Sequence, residues 1–362
     1  MSYLIEPKTL WKCSEMGRLR EDICVFVESR LTTTRKRGSR KILTYFKRAF
    51  TRWVFNCVKN GLNPFLDRIT AADLVQEADF DYFYFTNLNY HRAELDWSWL
   101  DERLLALDTY EPPMCRAQVD VHIYKRDTDA ILSVGDVDLV ISKAQYKACS
   151  ERYQTHTVVW NRQAMHQAMF LTLYRYNCMG LDNNHCSAPP NLIKYTMATV
   201  ELFGSPFNAT LDRFCSAFPD LEKDFGSIGS FFDLHLHSGV YFMNPPYDET
   251  LMEESVQKVL SALNSDERIT VILVLPLWDS EKQVQVRGEA YVQKKFGAYR
   301  SVSESQYLQS ETVCRWDTHK FFDYYKQENV PVCDSHLCIL TNTFYPSSAT
   351  MIADEWARIV AE

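Results

Sequence analysis

Glycine and proline are scarce in this chain, 11 and 13 of 362 residues, while 46% of residues are hydrophobic. That balance excludes a disordered or low-complexity polypeptide. No internal repeat recurs, which excludes a solenoid. No apolar run approaches the ~20 residues that span a bilayer. The opening Met1-Ser2-Tyr3-Leu4-Ile5-Glu6-Pro7 runs into charge and not into an apolar stretch. No secretory signal is therefore expected, and the protein is expected to be soluble and intracellular. The 11 cysteines include no Cys-x-x-Cys pair, so they read as reduced, mostly buried thiols. His185-Cys186 and the run from Cys333 through His336 to Cys338 fit no common zinc spacing, and no metal is expected.

Positive charge is also in short supply. Lys and Arg total 39 against 47 Asp and Glu, a net charge of −8, so any surface for a polyanion must be local. One segment meets that condition. Arg30, Arg35, Lys36, Arg37, Arg40, Lys41, Lys47, Arg48, Arg52 and Lys59 follow one another with no acid between them. Tyr45, Phe46, Phe50, Trp53 and Phe55 are interleaved. The pattern predicts an amphipathic helix over 41–59, its aromatics packed and its cations free for RNA phosphates. The run Arg35-Lys36-Arg37-Gly38-Ser39-Arg40-Lys41 also reads as a nuclear import signal. A nuclear location is expected, with a cytoplasmic one left open.

The length leaves room for two domains. Residues 1–140 are expected to form a mainly helical, basic RNA-binding module. Residues 141–362 are expected to form an α/β domain with a helical lead-in. Within the first, 66–115 is acidic and aromatic, and 117–141 alternates like a short β pair. In the second, 143–180 reads as helical, with Arg152, Arg162 and Arg175 spaced along it.

The most informative stretch is Val240-Tyr241-Phe242-Met243-Asn244-Pro245-Pro246-Tyr247. Four strand-favouring residues run into a proline pair, which lacks two N–H donors and cannot continue a sheet. An amide, a carbonyl and an aromatic ring are thus presented together at the carboxyl end of a strand, where open α/β sheets bind ligands. Residues 249–263 then read as an amphipathic helix with Leu251, Met252, Val256, Val259, Leu260 and Leu263 on one face. Residues 269–278 are a continuous apolar run to Pro276, the pattern of a strand buried on both faces. Strand, Pro-Pro loop, helix and buried strand make one βαβ unit.

Such a loop suits chemistry at an exocyclic amine. Two acceptors, the Asn244 side-chain oxygen and the Pro245 carbonyl, could hold the two N–H bonds of an adenine N6 amine. The Tyr247 ring could fix the plane of the base. Catalysis would rest on positioning, with no metal and no covalent intermediate.

Four blocks carry a resemblance to a known family. They are Glu201-Leu202-Phe203-Gly204-Ser205-Pro206-Phe207-Asn208; Phe214 to Asp220 followed by Phe225-Gly226-Ser227-Ile228-Gly229; Ser238-Gly239 leading into Asn244 to Tyr247; and Pro276-Leu277-Trp278. With weaker similarity from about Val140 to Asn342, they resemble the phosphorylated-CTD-interacting-factor type of cap-specific adenosine N6-methyltransferase. The resemblance implies a Rossmann-like fold, S-adenosylmethionine as donor, and the first transcribed adenosine of capped RNA as target. It implies that Asn244, Pro245, Pro246 and Tyr247 hold donor and amine, and that Glu201, Phe203, Ser205, Pro206 and Asn208 form the other cofactor wall. Glu249 and Trp278 fall where the family touches its capped substrate; the basic run, apart from the resemblance, adds Arg35, Lys36, Arg37, Arg40 and Lys41 as expected RNA contacts.

The chain departs from the family at three of these positions. Tyr247 stands for Phe, Leu277 for Glu and Ile228 for Arg, which bears on substrate contact. No WW-type module is expected, because no Trp pair has the surrounding proline and strand pattern. Glu201 and Asn244 are also too close in sequence for two further full βα units between them, so either the middle of the sheet is trimmed or Pro219 to Phe232 is mostly loop lying over the cofactor. Two other readings stay open: methylation of adenine in other RNA or DNA, or of a glutamine amide, and a non-catalytic relative that binds capped RNA.

Overall fold

The computed structural model describes residues 7–30, 50–65 except 52, 98–109, 120–180, 186–278, 283–286, 289–292 and 297–361. The chain divides into two compact units, residues 1–141 with 159–183, and residues 142–158 with 184–362.

In the first unit the helix Pro7–Arg30 packs against the helix Arg162–Cys178. Cys13, Met16, Leu19 and Ile23 recur at helical spacing and are buried. Residues 50, 51 and 53–59 are helical, and Phe50, Trp53, Val54 and Cys57 form a buried face. The Phe50 and Trp53 rings lie 5.4 Å apart. This matches the described part of the expected amphipathic helix; residues 31–49, with Arg35, Lys36, Arg37, Arg40 and Lys41, lie outside the described residues. The helix Ser98–Thr109 buries Leu100, Leu104 and Leu107. Most of 66–115 otherwise lies outside the description.

A three-stranded sheet, β1 (His122–Arg126), β2 (Asp129–Val134) and β3 (Val137–Ser142), replaces the expected β pair. The middle strand was hidden because three successive residues, Ala130 to Leu132, are buried, which erases the alternation that marks a half-exposed strand.

The helical stretch expected over 143–180 is two helices, Lys143–His156 and Arg162–Cys178. The first carries a capping box made by Ser142 and Gln145. It ends where Thr157 turns extended and two valines follow. Asn161 starts the second by accepting from the Ala164 N–H at 3.0 Å.

The second unit is built on a five-stranded sheet with β4 (Cys186–Ser187) outside it. Its members are β5 (Val200–Glu201), β6 (Gly239–Met243), β7 (Ile269–Pro276), β10 (Leu308–Cys314) and β13 (Ser335–Thr341), in the order β10-β13-β7-β6-β5. Strands β5, β6 and β7 run parallel. Strand β13 is antiparallel to both β7 and β10, so β10 points the same way as β7. Beyond β5 the sheet continues through single residues: Phe214 bridges Glu201 in parallel, and Ser227 bridges Phe214 in parallel. The short distance between Glu201 and Asn244 is thus met by trimming two strands to one bridging residue each. A hairpin, β8 (Gln283–Val286) and β9 (Glu289–Val292), and a small sheet in which β11 (Phe321–Asp323) lies between β12 (Glu328–Val330) and β4 complete the strands.

All eight residues of β7 are buried, because both faces are covered. Val271, Leu273 and Leu275 pack against Met252, Val256, Val259 and Leu263 of the helix Glu249–Leu263. Ile272 and Val274 face the other way, toward Ile352, Ala353 and Trp356 of the helix Ala349–Ala361. Each buried aliphatic side chain stabilises the layer by about 1.5–3 kcal/mol. The unit is an α/β structure with helices on both faces of its sheet. Because β5, β6, β7 and β10 share a direction, their carboxyl ends lie along one rim.

Candidate functional site at the carboxyl rim of the sheet

Strand β6 delivers Asn244 to Tyr247 to this rim. The loop is locked on its downstream side. The Pro246 carbonyl accepts from the Asp248 N–H at 2.7 Å. The Asp248 carboxylate accepts from Leu251 N–H at 3.0 Å and caps the following helix. Asn244 is half-buried and Pro245 buried. Tyr247 packs edge to face on Trp278, centroids 6.0 Å apart, and on Phe321 at 6.5 Å. Its ring is half-buried while its hydroxyl is fully buried. That hydroxyl lies among Asn244, Ser335 and Cys333 but meets none of them at full hydrogen-bond geometry. Burial pushes its pKa far above the ordinary phenol value, so the ring is neutral.

The loop after β5 is held from within. Glu201 is buried, and one carboxylate oxygen accepts from the Thr210 and Leu211 N–H groups, each at 2.6 Å. Burial raises its pKa to about 7, partly offset by those two backbone donors and by Arg152. Asn208 Oδ1 accepts from Ser205 N–H at 2.8 Å and from Ser205 Oγ at 3.0 Å. These two side chains therefore close a turn around the buried Pro206 and Phe207. The helix Lys143–His156 clamps the same loop from outside. Gln145 donates to the Phe207 carbonyl at 3.2 Å, and Cys149 Sγ lies 3.1 Å from the Pro206 carbonyl. The Arg152 guanidinium donates to the Ala209 and Leu211 carbonyls at 2.5 and 2.8 Å. Phe203, half-buried, gathers with Phe231 and Phe232, the ring centroids 5.1 and 6.4 Å away.

Just before the bridging Ser227, at the amino end of that trimmed strand, the chain makes a tight turn. Gly226, in Phe225-Gly226-Ser227-Ile228-Gly229, has φ +102°, and a Cβ there would sit 2.3 Å from the Asp212 carbonyl and 2.7 Å from His156. Only glycine fits that turn.

Strands β7 and β10 contribute two tryptophans. Leu277 N–H donates to the Asp334 carbonyl at 2.8 Å, fixing the end of β7, and the neighbouring Trp278 is 44% exposed. The Asp334 carboxylate accepts from Trp316 N–H at 2.8 Å and from the Arg315 guanidinium at 2.9 Å. These donors, the Trp316 N–H foremost, hold its pKa below the usual carboxylate range. Trp316 is 53% exposed. Sequence reasoning did not single out Arg315, Trp316 or Asp334. They belong to no motif, and they join the rim only because β10 lies beyond an antiparallel strand.

The remaining expected residues are placed as follows. Glu249 is exposed in the first turn of the helix that follows Tyr247. Of the arginines spaced along 143–180, Arg152 is taken up by the carbonyls named above, and Arg175 is 1% exposed with its guanidinium over the Phe65 ring. Those two do not form a surface track. Cys333 stands beside the Tyr247 hydroxyl, whereas Cys338 lies in the core and the His336 ring stacks on Tyr299 at 3.6 Å.

Fold and rim together define an α/β protein whose candidate site is a strand-end Asn-Pro-Pro-Tyr loop. Residues 146–324 match the family model described as "Phosphorylated CTD interacting factor 1 WW domain". The chain is also similar to the mRNA (2'-O-methyladenosine-N(6)-)-methyltransferases of Mus musculus and Homo sapiens. Each is 39% identical over 79 residues, covering 22% of this chain and 11% of the relative. The matched stretch thus spans about a tenth of the length of these curated relatives. The resemblance drawn from the four sequence blocks is the one these comparisons find.

The same family match corrects one expectation. No WW-type module was expected, yet the family model that matches carries a WW description. The expectation sought a short run with two tryptophans, a proline and alternating strand residues. The match instead spreads over 146–324, where the tryptophans are Trp160, Trp278 and Trp316.

Proposed function

We propose that this chain is an S-adenosylmethionine-dependent methyltransferase that modifies N6 of the first transcribed adenosine of capped mRNA. The observation that carries the reading is the Asn244-Pro245-Pro246-Tyr247 loop at the carboxyl end of β6, beside the point where the strand order reverses. Counting the bridging residues as strands, the order runs Ser227, Phe214, β5, β6, β7, then β10 beyond the antiparallel β13. Counted so, the order supports a Rossmann-like reading, 3-2-1-4-5-6 with one antiparallel strand inserted. In that order the crevice between β5 and β6 is the switch point where ligands bind. The names of the mouse and human relatives support the reaction and the substrate class.

The residues at the crevice fit the donor. Phe203 offers a half-buried aromatic face. Gly229 has φ +110° with nothing within 4 Å of the position a Cβ would take, so a ligand can approach its backbone. The donor, when bound, supplies an electrophilic methyl group. The rest is the work of this chain. The Asn244 side-chain oxygen accepts one N–H of the target amine, and the Pro245 carbonyl accepts the other. Both acceptors orient the nitrogen lone pair, which the adenine ring otherwise delocalises. The neutral Tyr247 ring fixes the base plane, and its packing on Trp278 and Phe321 fixes the ring itself. Glu201, Ser205, Pro206 and Asn208 act by holding the opposite loop in shape. Residues 1–140 serve as the RNA-binding module, and the basic run at Arg35–Lys41 directs the protein to the nucleus.

The test is methyl transfer from labelled donor to short adenosine-initiated RNAs with matched capped and uncapped 5′ ends. Label is expected on N6 of the capped substrate. Label on internal adenosines alone, or none on any RNA, overturns the assignment.

A further inference from the structure

We propose that Trp316 and Arg315 form a second nucleotide subsite on the rim, holding a base and phosphate adjacent to the target adenosine. This rests on the methyltransferase reading above and adds residues that the four sequence blocks do not contain.

The site is built by strand register. Ser335 of β13 is paired with Pro276 of β7 on one side and with Cys314 of β10 on the other. The next residue outward on each strand therefore emerges at one level: Leu277, Asp334 and Arg315. Asp334 ties all three together, its carbonyl accepting from Leu277 N–H and its carboxylate from Trp316 N–H and the Arg315 guanidinium. Outward from the catalytic loop the rim thus carries Tyr247, then Trp278, whose ring is edge-on to it at 6.0 Å, then Trp316 at the end of β10, two strands beyond β7.

The turn carrying Trp316 is braced. His319 N–H donates to the Arg315 carbonyl at 2.8 Å, and Arg315 N–H donates to His319 Nδ1 at 3.0 Å. Trp356 Nε1 fixes the Lys320 carbonyl at 2.8 Å. Because the backbone that carries this half-exposed indole is already ordered, binding has little backbone entropy to lose, which favours stacking. An indole beside a guanidinium is the pairing that takes a base face and its phosphate together. The ligand is a nucleobase of the bound strand, either the cap guanosine or the base that follows the target.

The experiment compares wild type, Trp316→Phe and Trp316→Leu as full chains. The substrates are a cap joined to one adenosine, a capped oligonucleotide and an uncapped oligonucleotide. Trp316→Leu is expected to raise KM for the capped oligonucleotide about tenfold with kcat within about twofold, and Trp316→Phe to restore KM. A penalty that persists on the cap-adenosine substrate assigns the cap guanosine. A penalty confined to the oligonucleotides assigns the following base.

Unchanged KM in Trp316→Leu on every substrate, with wild type active, overturns this subsite alone. Equal loss in Phe and Leu, or a kcat loss with KM unmoved, also overturns it, since a stacking platform keeps its function with any aromatic ring. A wild-type chain that neither binds nor methylates any of the RNAs overturns the methyltransferase reading itself.

Discussion

At the scale of single residues, the proposed reaction divides its work between Asn244, for chemistry, and Tyr247, for position. Asn244 offers one of the two acceptors proposed for the amine. Removing one preorganised polar group of this kind costs on the order of 10²–10³ in rate. Asn244→Ala is therefore expected to lose that much turnover while its circular dichroism and melting temperature stay near wild type. Near-normal turnover would remove Asn244 from the mechanism. Tyr247 separates into a ring and a hydroxyl. The ring packs on Trp278 and Phe321, whereas the buried hydroxyl makes no full hydrogen bond. Taking away a poorly satisfied buried polar atom is nearly neutral. Tyr247→Phe is expected to keep both activity and melting temperature, and Tyr247→Ala to lose a base stack worth ~1–3 kcal/mol, read as weaker RNA binding. Equal damage from Phe and Ala would make the hydroxyl, through Asn244, the working group.

At the scale of elements, the parts legible in the sequence are those set by local rules. The proline pair fixed where β6 ends, the 3.6-residue period fixed the helix Glu249–Leu263, and the unbroken apolar run fixed β7. What was not legible depends on distant pairing. A strand reduced to one bridging residue, as at Phe214 or Ser227, leaves no periodicity to read. Ser205 and Asn208 could be picked out by motif, but that they bond each other is a matter of turn geometry. Glu201 shows how an element depends on such a residue. Its folded pKa of about 7 exceeds the ordinary 4.5, so the folded chain keeps a proton that the unfolded chain has lost. Its contribution to stability is thus fullest below about pH 4.5 and is lost as pH rises through about 7. Urea midpoints measured across that range should fall with rising pH, and Glu201→Gln should flatten the fall. An unchanged slope would mean that the carboxylate is ionised throughout, held by Thr210, Leu211 and Arg152.

At the scale of the whole molecule, the distribution of charge decides how an acidic protein could hold a polyanion. A net charge of −8 repels RNA at long range. Any attraction must come from a concentrated source, and 30–59 is the stretch of sequence that concentrates cations without acids. Its described aromatics Phe50 and Trp53 are buried, together with Val54 and Cys57. Arg152 and Arg175 are committed elsewhere, to loop carbonyls and to a buried ring, and offer no rival track. If about four of Arg35, Lys36, Arg37, Arg40 and Lys41 meet phosphates, each releases ~0.7 counterion on a single strand. Replacing four of them with Gln should therefore flatten the slope of log K against log salt by roughly 3. Turnover on a saturating short capped substrate should survive, because the loop proposed to hold the amine lies after β6. Filter binding at several salt concentrations would decide it. An unchanged slope in the charge-depleted variant would leave this run as an import signal only, with RNA affinity then resting on the aromatic rim at Trp278 and Trp316.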